Sequence, residues 1–145
     1  MTTSRPGGRD RRPGERGERG DLLDPRCPTR RLLDRIGTKW TSMTVKVLAE
    51  EAPGELRFTE LRRRIPGISQ KMLSATLQSL VRDGLVARRV EPTVPPAVHY
   101  RLTELGLSLE TPLSALRVWA ETHMPEIDHN NQLADESLRR DAYAY

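Results

Sequence analysis

A chain of 145 residues has room for one domain with a modest core and short tails, and a single cysteine, Cys27, excludes both an intramolecular disulfide framework and a cysteine-rich zinc site. The three histidines, His99, His123 and His129, stand at no metal-ligand spacing, so no metal and no other cofactor is expected; no apolar run approaches the ~18 residues that span a bilayer and the start is not a secretory signal, so a cytoplasmic protein without a membrane partner is expected. The net charge of +4 is unevenly spread: fifteen Lys and Arg oppose ten acids between Cys27 and Met124, whereas two arginines oppose five acids from Pro125 to Tyr145, and a basic centre suits phosphate contact.

Residues 1–24 are rich in Arg, Gly and acids and nearly devoid of apolar side chains, which predicts a disordered arm that either tracks DNA or only solubilises the chain. The ordered domain is expected over 25–124. It opens at Cys27-Pro28, with Pro28 in the first turn of a helix whose Leu32, Leu33 and Ile36 share a face; Gly37 ends it. A second helix carries Trp40, Met43, Val45, Val47 and Leu48 and stops before Pro53-Gly54. Glu55 to Phe58 reads as a short extended piece. Thr59 is placed to cap a third helix, Glu60 to Ile65, which Pro66-Gly67 breaks. Ser69 caps a fourth, Gln70 to Asp83, with Leu73, Leu77, Leu80 and Val81 as its apolar stripe and Gly84 after it in the left-handed conformation. Two strand-like runs, Leu85–Val90 and Val98–Leu102, flank a proline-rich connection and predict a β-hairpin. Thr103 then caps a last helix, roughly Glu104 to His123, that Pro112 is expected to kink or split. Residues 125–145 read as a polar tail, frayed or weakly helical.

The order helix, helix, short strand, helix, turn, helix, hairpin, helix is the informative feature. It predicts a mainly α chain with a small β-hairpin (α+β), a winged helix-turn-helix in which the second helix of the pair lies in the DNA major groove. The polar positions of that helix suit groove contact. Ser69, Gln70, Lys71, Ser74, Thr76 and Gln78 lie off the leucine stripe, and Ser, Gln and Lys bond base edges or phosphates. Arg62, Arg63 and Arg64 before the turn, and Arg88, Arg89, His99 and Arg101 on the hairpin, are the expected phosphate contacts.

These motifs resemble the HxlR family of winged-helix transcriptional regulators, near the MarR group. The resemblance runs from Cys27 to about Trp119 and is carried by Ile36-Gly37-Thr38-Lys39-Trp40-Thr41, Arg57-Phe58-Thr59-Glu60-Leu61, Ile65-Pro66-Gly67-Ile68-Ser69-Gln70-Lys71-Met72-Leu73 and the two prolines before Tyr100. It implies a homodimer joined by the first and last helices, with Leu32, Leu33, Leu109, Leu113, Leu116 and Trp119 at or near the interface, reading an inverted repeat in double-stranded DNA. The chain departs from the family in the wing, where Glu91, Thr93, Ala97 and His99 replace a tyrosine, a glutamate, an arginine and a glutamate; the weight of wing contact moves to Arg88 and Arg89. Some family members sense oxidants or electrophiles through a cysteine just before the first helix, the position of Cys27. A helix N-terminus and nearby arginines favour thiolate there, whereas a thiol that only packs is the plainer reading.

Two other readings compete. A winged helix that binds a protein rather than DNA uses the same fold, and a regulator could respond to a non-covalent small ligand held between the last helix and the wing. No nucleophile–base set, phosphate loop or paired carboxylates point to an enzyme.

Overall fold

The computed structural model describes residues 22–144, so the arm expected over 1–24 lies outside the described residues except for its last three positions. Five helices and three short strands follow one another: α1 Pro28–Ile36, α2 Lys39–Glu51, β1 Leu56–Arg57, α3 Phe58–Arg64, α4 Gln70–Arg82, β2 Val86–Glu91, β3 Ala97–Leu102 and α5 Glu104–Ala142. Among the described residues no helix is long and apolar enough to cross a membrane, and no cluster of three or more His, Cys, Asp or Glu side chains is arranged to hold a metal ion.

The leucine spacing of α4 builds the centre of the domain. Leu73, Leu77 and Leu80 are buried against Val45 and Leu48 of α2, Leu61 of α3 and the inner face of the hairpin. Ile65 and Ile68, on either side of the Pro66-Gly67 turn, are buried too, so the turn is pinned from both ends. Gly67 takes a φ of +83° and Gly84, after α4, a φ of +74°, the left-handed region that a residue without a Cβ enters at no steric cost. The backbone N–H of Leu85 then bonds the Leu80 carbonyl, closing α4 and launching β2.

The sheet is antiparallel in the order β1-β3-β2. Val86 pairs with Leu102, Arg88 with Tyr100 and Leu56 with Tyr100, and this alternate set lies on the inner side of the sheet, with Leu56, Val86, Tyr100 and Leu102 buried and Arg88 exposed; Ala87 with Arg101, Arg89 with His99 and Arg57 with His99 form the outward set. Thr103 caps α5, its hydroxyl accepting from the Gly106 N–H and donating to the Gly84 carbonyl at 2.7 Å. A Cβ on Gly106 would stand 2.0 Å from the Leu85 carbonyl oxygen, so only glycine lets α5 start this close to the hairpin.

Three expectations are narrowed or corrected. Pro112 and Pro125 both lie inside α5, which runs as one helix to Ala142, so Pro112 does not split it, and of the two readings of the tail, frayed or weakly helical, the helical one holds. Both prolines are exposed, so the carbonyl each leaves without a backbone partner faces water. α3 begins at Phe58 with Arg57 as N-cap, and Thr59 lies within its first turn instead of capping it.

Candidate nucleic-acid interface

Helix α4 has two sides with opposite jobs. Ser69 caps it, its Oγ accepting from the Met72 N–H at 3.1 Å, which commits that oxygen to the helix end and still leaves the residue at the surface. Gln70, Lys71, Ser74 and Gln78 are exposed and fall within about 100° of helical arc, to one side of the leucine stripe. Thr76 does not belong with them: it is only 9% exposed, on the buried flank of the leucine stripe, because position 76 is three residues past Leu73 and turns inward with it. Thr76 is therefore a packing residue.

The arginines expected to meet phosphate divide into those held by the protein and those left open. Arg64 bonds Glu51 at 2.6 Å and Glu50 at 2.8 Å, tying α3 to the end of α2, and the Glu51 hydrogen bond holds its guanidinium charged more firmly than usual. Arg89 shares its Nε–H between both carboxylate oxygens of Glu55, each at 3.1 Å, and that bond holds the Glu55 carboxyl below the ordinary glutamate range. Arg62, Arg63, Lys71, Arg88 and Arg101 are exposed and form no ion pair with any described residue.

Register decides where the hairpin cations sit. Arg88 is on the inner set of the sheet and, with Ser74, Gln78 and Tyr100, lines a cleft of about 380 Å³ between α4 and the hairpin. It thus stands beside the polar side of α4. Arg89 and Arg101 are on the outer set, on the opposite face. The sequence alone groups these three as one wing. It also gives no sign of Glu55, which lies thirty-four residues from Arg89 and carries no local signal of the pairing.

The residues expected to join two subunits divide as well. Leu32, Leu33, Leu116 and Trp119 are 39%, 50%, 59% and 50% exposed, an apolar surface on α1 and α5. Leu109 is half-buried against the core. Leu113, at 3% exposure, is part of the subunit's own core, so its expected place at the interface is corrected. The Arg35–Asp83 ion pair, at 3.1 Å, links α1 to the C-terminal end of α4. Beside it, a cavity of about 330 Å³ is lined by Ile36, Leu80, Leu85 and Leu109 among others, between α1, α4 and α5.

Cys27 is the N-cap of α1 and is fully buried. Of the arginines near it in sequence, Arg26 bonds the Asp24 carboxylate and Arg30 donates to the Leu23 carbonyl at 3.1 Å. The single chain thus encloses the thiol instead of presenting it at the surface.

With this geometry in place, comparison with known proteins is specific. The model of the HxlR-like helix-turn-helix family matches residues 35–128. The HTH-type transcriptional regulator YtfH of Escherichia coli K12 is 40% identical over 108 residues, covering 74% of this chain and 83% of that protein. Among solved structures, the transcriptional regulator YtfH from Salmonella typhimurium superposes with a TM-score of 0.68 at 35% identity, over 78% of this chain and 98% of that one. The redox regulator HypR in its reduced form gives a TM-score of 0.62 at 37% identity, over 70% and 98%. The family match spans α2, both helices of the turn, the hairpin and the first part of α5, and the chain belongs to the HxlR-like helix-turn-helix family of transcriptional regulators.

Proposed function

We propose that this chain binds duplex DNA as a homodimer and regulates transcription by reading an inverted repeat. Each subunit inserts α4 into a major groove, with Gln70, Lys71, Ser74 and Gln78 toward base edges and Arg62, Arg63 and Arg88 on flanking phosphates. One observation carries this reading. The polar side of α4 and the cations around it are exposed and without an ion-pair partner among the described residues, while the leucine stripe of the same helix is locked into the core. An unpaired cation cluster aligned with a helix of groove width is what phosphate contact demands. Exposed Leu32, Leu33, Leu116 and Trp119 support dimerisation through α1 and α5.

The test is binding of DNA upstream of the protein's own gene at two salt concentrations. Affinity that falls steeply with salt supports the reading, because each neutralised phosphate adds about 0.9 to the slope of log K on log salt. No binding even at low salt favours a protein partner for the same surface.

A redox response through Cys27 is the finer reading. Two observations favour it: similarity to a protein described as a redox regulator, and the position of Cys27 immediately before α1. Full burial means that the thiol reacts only when the segment before α1 opens. Cys27→Ser should abolish an oxidant-induced change in DNA affinity while leaving reduced-state binding intact; an unchanged oxidant response in that variant refutes the role.

A further inference from the structure

The cleft between α4 and the hairpin is lined by a polar group that the protein leaves unsatisfied. Tyr100, on the inner side of β3, is 8% exposed and packs in the core, yet its hydroxyl forms no hydrogen bond with any described residue. The oxygen is not sealed from solvent either. Its way out is the cleft of about 380 Å³ that Tyr100 lines together with Ser74, Leu77, Gln78, Val81 and Arg88. Arg88 stands directly across the β2–β3 pair from Tyr100, exposed and without an ion-pair partner among the described residues. Two unpartnered donors, one neutral and one charged, therefore line one cleft beside the polar side of α4.

We propose that this cleft seats one sugar-phosphate unit of the DNA backbone, with the Tyr100 hydroxyl and the Arg88 guanidinium donating to oxygens of the same phosphate. The inference rests on the DNA-binding reading and deepens it: Tyr100, by burial a core residue, joins the residues that touch DNA.

A helix in the major groove runs between two ridges of sugar-phosphate, and a hairpin packed beside that helix straddles one of them. The space between α4 and the hairpin is where that ridge passes. Ser74 and Gln78 belong both to the wall of the cleft and to the exposed side of α4, so the cleft opens on the groove-reading side. Its lining suits a sugar-phosphate better than a free anion: Leu77, Val81 and the Tyr100 ring offer apolar surface to deoxyribose carbons, while the two donors meet phosphate oxygens. A nearly enclosed hydroxyl without a partner is uncommon in folded proteins, and a hydrogen bond to a charged oxygen is of the stronger kind. Both residues are fixed on paired strands, so little ordering opposes the contact.

A phosphate contact is independent of base sequence, so the probe is a short random-sequence duplex titrated with the full chain over a range of salt. Tyr100→Phe keeps the ring and removes only the hydroxyl; the free variant should melt no lower than the wild type. It should bind the duplex about tenfold more weakly, with the salt slope unchanged, because a neutral group displaces no counterion. Arg88→Ala should lower that slope by about 1. The doubly substituted chain should lose less than the product of the two separate losses, since both groups serve one phosphate. Wild-type affinity in Tyr100→Phe overturns the proposal while the DNA reading stands, and so does a double loss equal to the product. A Tyr100→Phe chain that melts well below the wild type assigns the hydroxyl to the fold and overturns it as well. A wild type that binds no duplex even at low salt defeats the DNA reading itself, and this inference with it.

Discussion

The outer side of α4 and the outer face of the sheet are both polar, exposed and rich in cations, and they solve the problem of charge differently. On the sheet, Arg89 is gripped by Glu55 and His99 by Glu91, while Arg57 and Arg101 of the same face have no ion-pair partner among the described residues. Around α4, Lys71, Arg62, Arg63 and Arg88 have no ion-pair partner among the described residues. Like charges held near one another without counter-charges repel, and a fold tolerates that repulsion most readily where an outside anion relieves it. The contrast separates a face whose central Arg89 and His99 are tied down by carboxylates from one whose cations all lack a counter-charge among the described residues.

The sharpest way to break the contrast is to detach α4 from the core. Leu73→Ala or Leu77→Ala removes a fully enclosed side chain and should cost about 2–5 kcal/mol of stability, read by chemical denaturation; a cost below about 1 kcal/mol would mean that the stripe is not the anchor. The polar side should do the reverse. Lys71→Ala or Gln70→Ala should leave stability nearly unchanged and weaken specific DNA binding by about 1–3 kcal/mol where the contact is a base edge, as measured by fluorescence anisotropy. A loss of melting temperature without loss of affinity would invert the assignment.

Comparing two adjacent arginines sharpens it further. Arg88→Ala, beside α4, should lower the salt slope of DNA binding by about 1, and Arg89→Ala, already paired across the sheet, by less; equal effects would erase the distinction drawn from register. Ser69→Ala should cost about 1 kcal/mol of stability through the lost N-cap, with affinity altered only as far as the helix end moves. The smallest effect is expected with acid. Glu55 and Glu91 are held below their ordinary range, each mainly by a hydrogen bond from its partner, Arg89 or His99. A carboxyl depressed in the folded state stabilises it above the unfolded value of about 4.3 and loses that contribution as pH falls through the folded value. Glu55→Gln should therefore flatten the loss of stability below about pH 4; an unchanged acid profile would show that the pair contributes nothing.

The element order, the Ser69 and Thr103 caps, the Gly84 turn and the leucine stripe of α4 are all legible in the sequence, because each depends on residues within one or two turns of one another. Thr76 is misread there because the stripe is wider than its leucines, and a threonine's methyl group packs while its letter reads as polar. Leu113 is grouped with the interface residues since α5 is apolar on more than one side past Leu105, and periodicity alone does not say which side meets the subunit's own core. The prolines of α5 argue for a break that solvent exposure makes unnecessary. The pairing of Arg89 with Glu55, and the separation of Arg88 from Arg89, depend on strand register, which is fixed only once the hairpin lies against β1. The likeness to a redox regulator does not reveal that Cys27 is enclosed; that follows from packing before α1.

The most direct test of the central claim is a footprint of the wild-type chain and of Lys71→Ala on the DNA upstream of its own gene. The account predicts two protected half-sites about one helical turn, ~34 Å, apart, present with the wild type and lost or strongly weakened with the variant at equal protein concentration. The same two-part protection persisting undiminished with Lys71→Ala would contradict the placement of α4 in the groove.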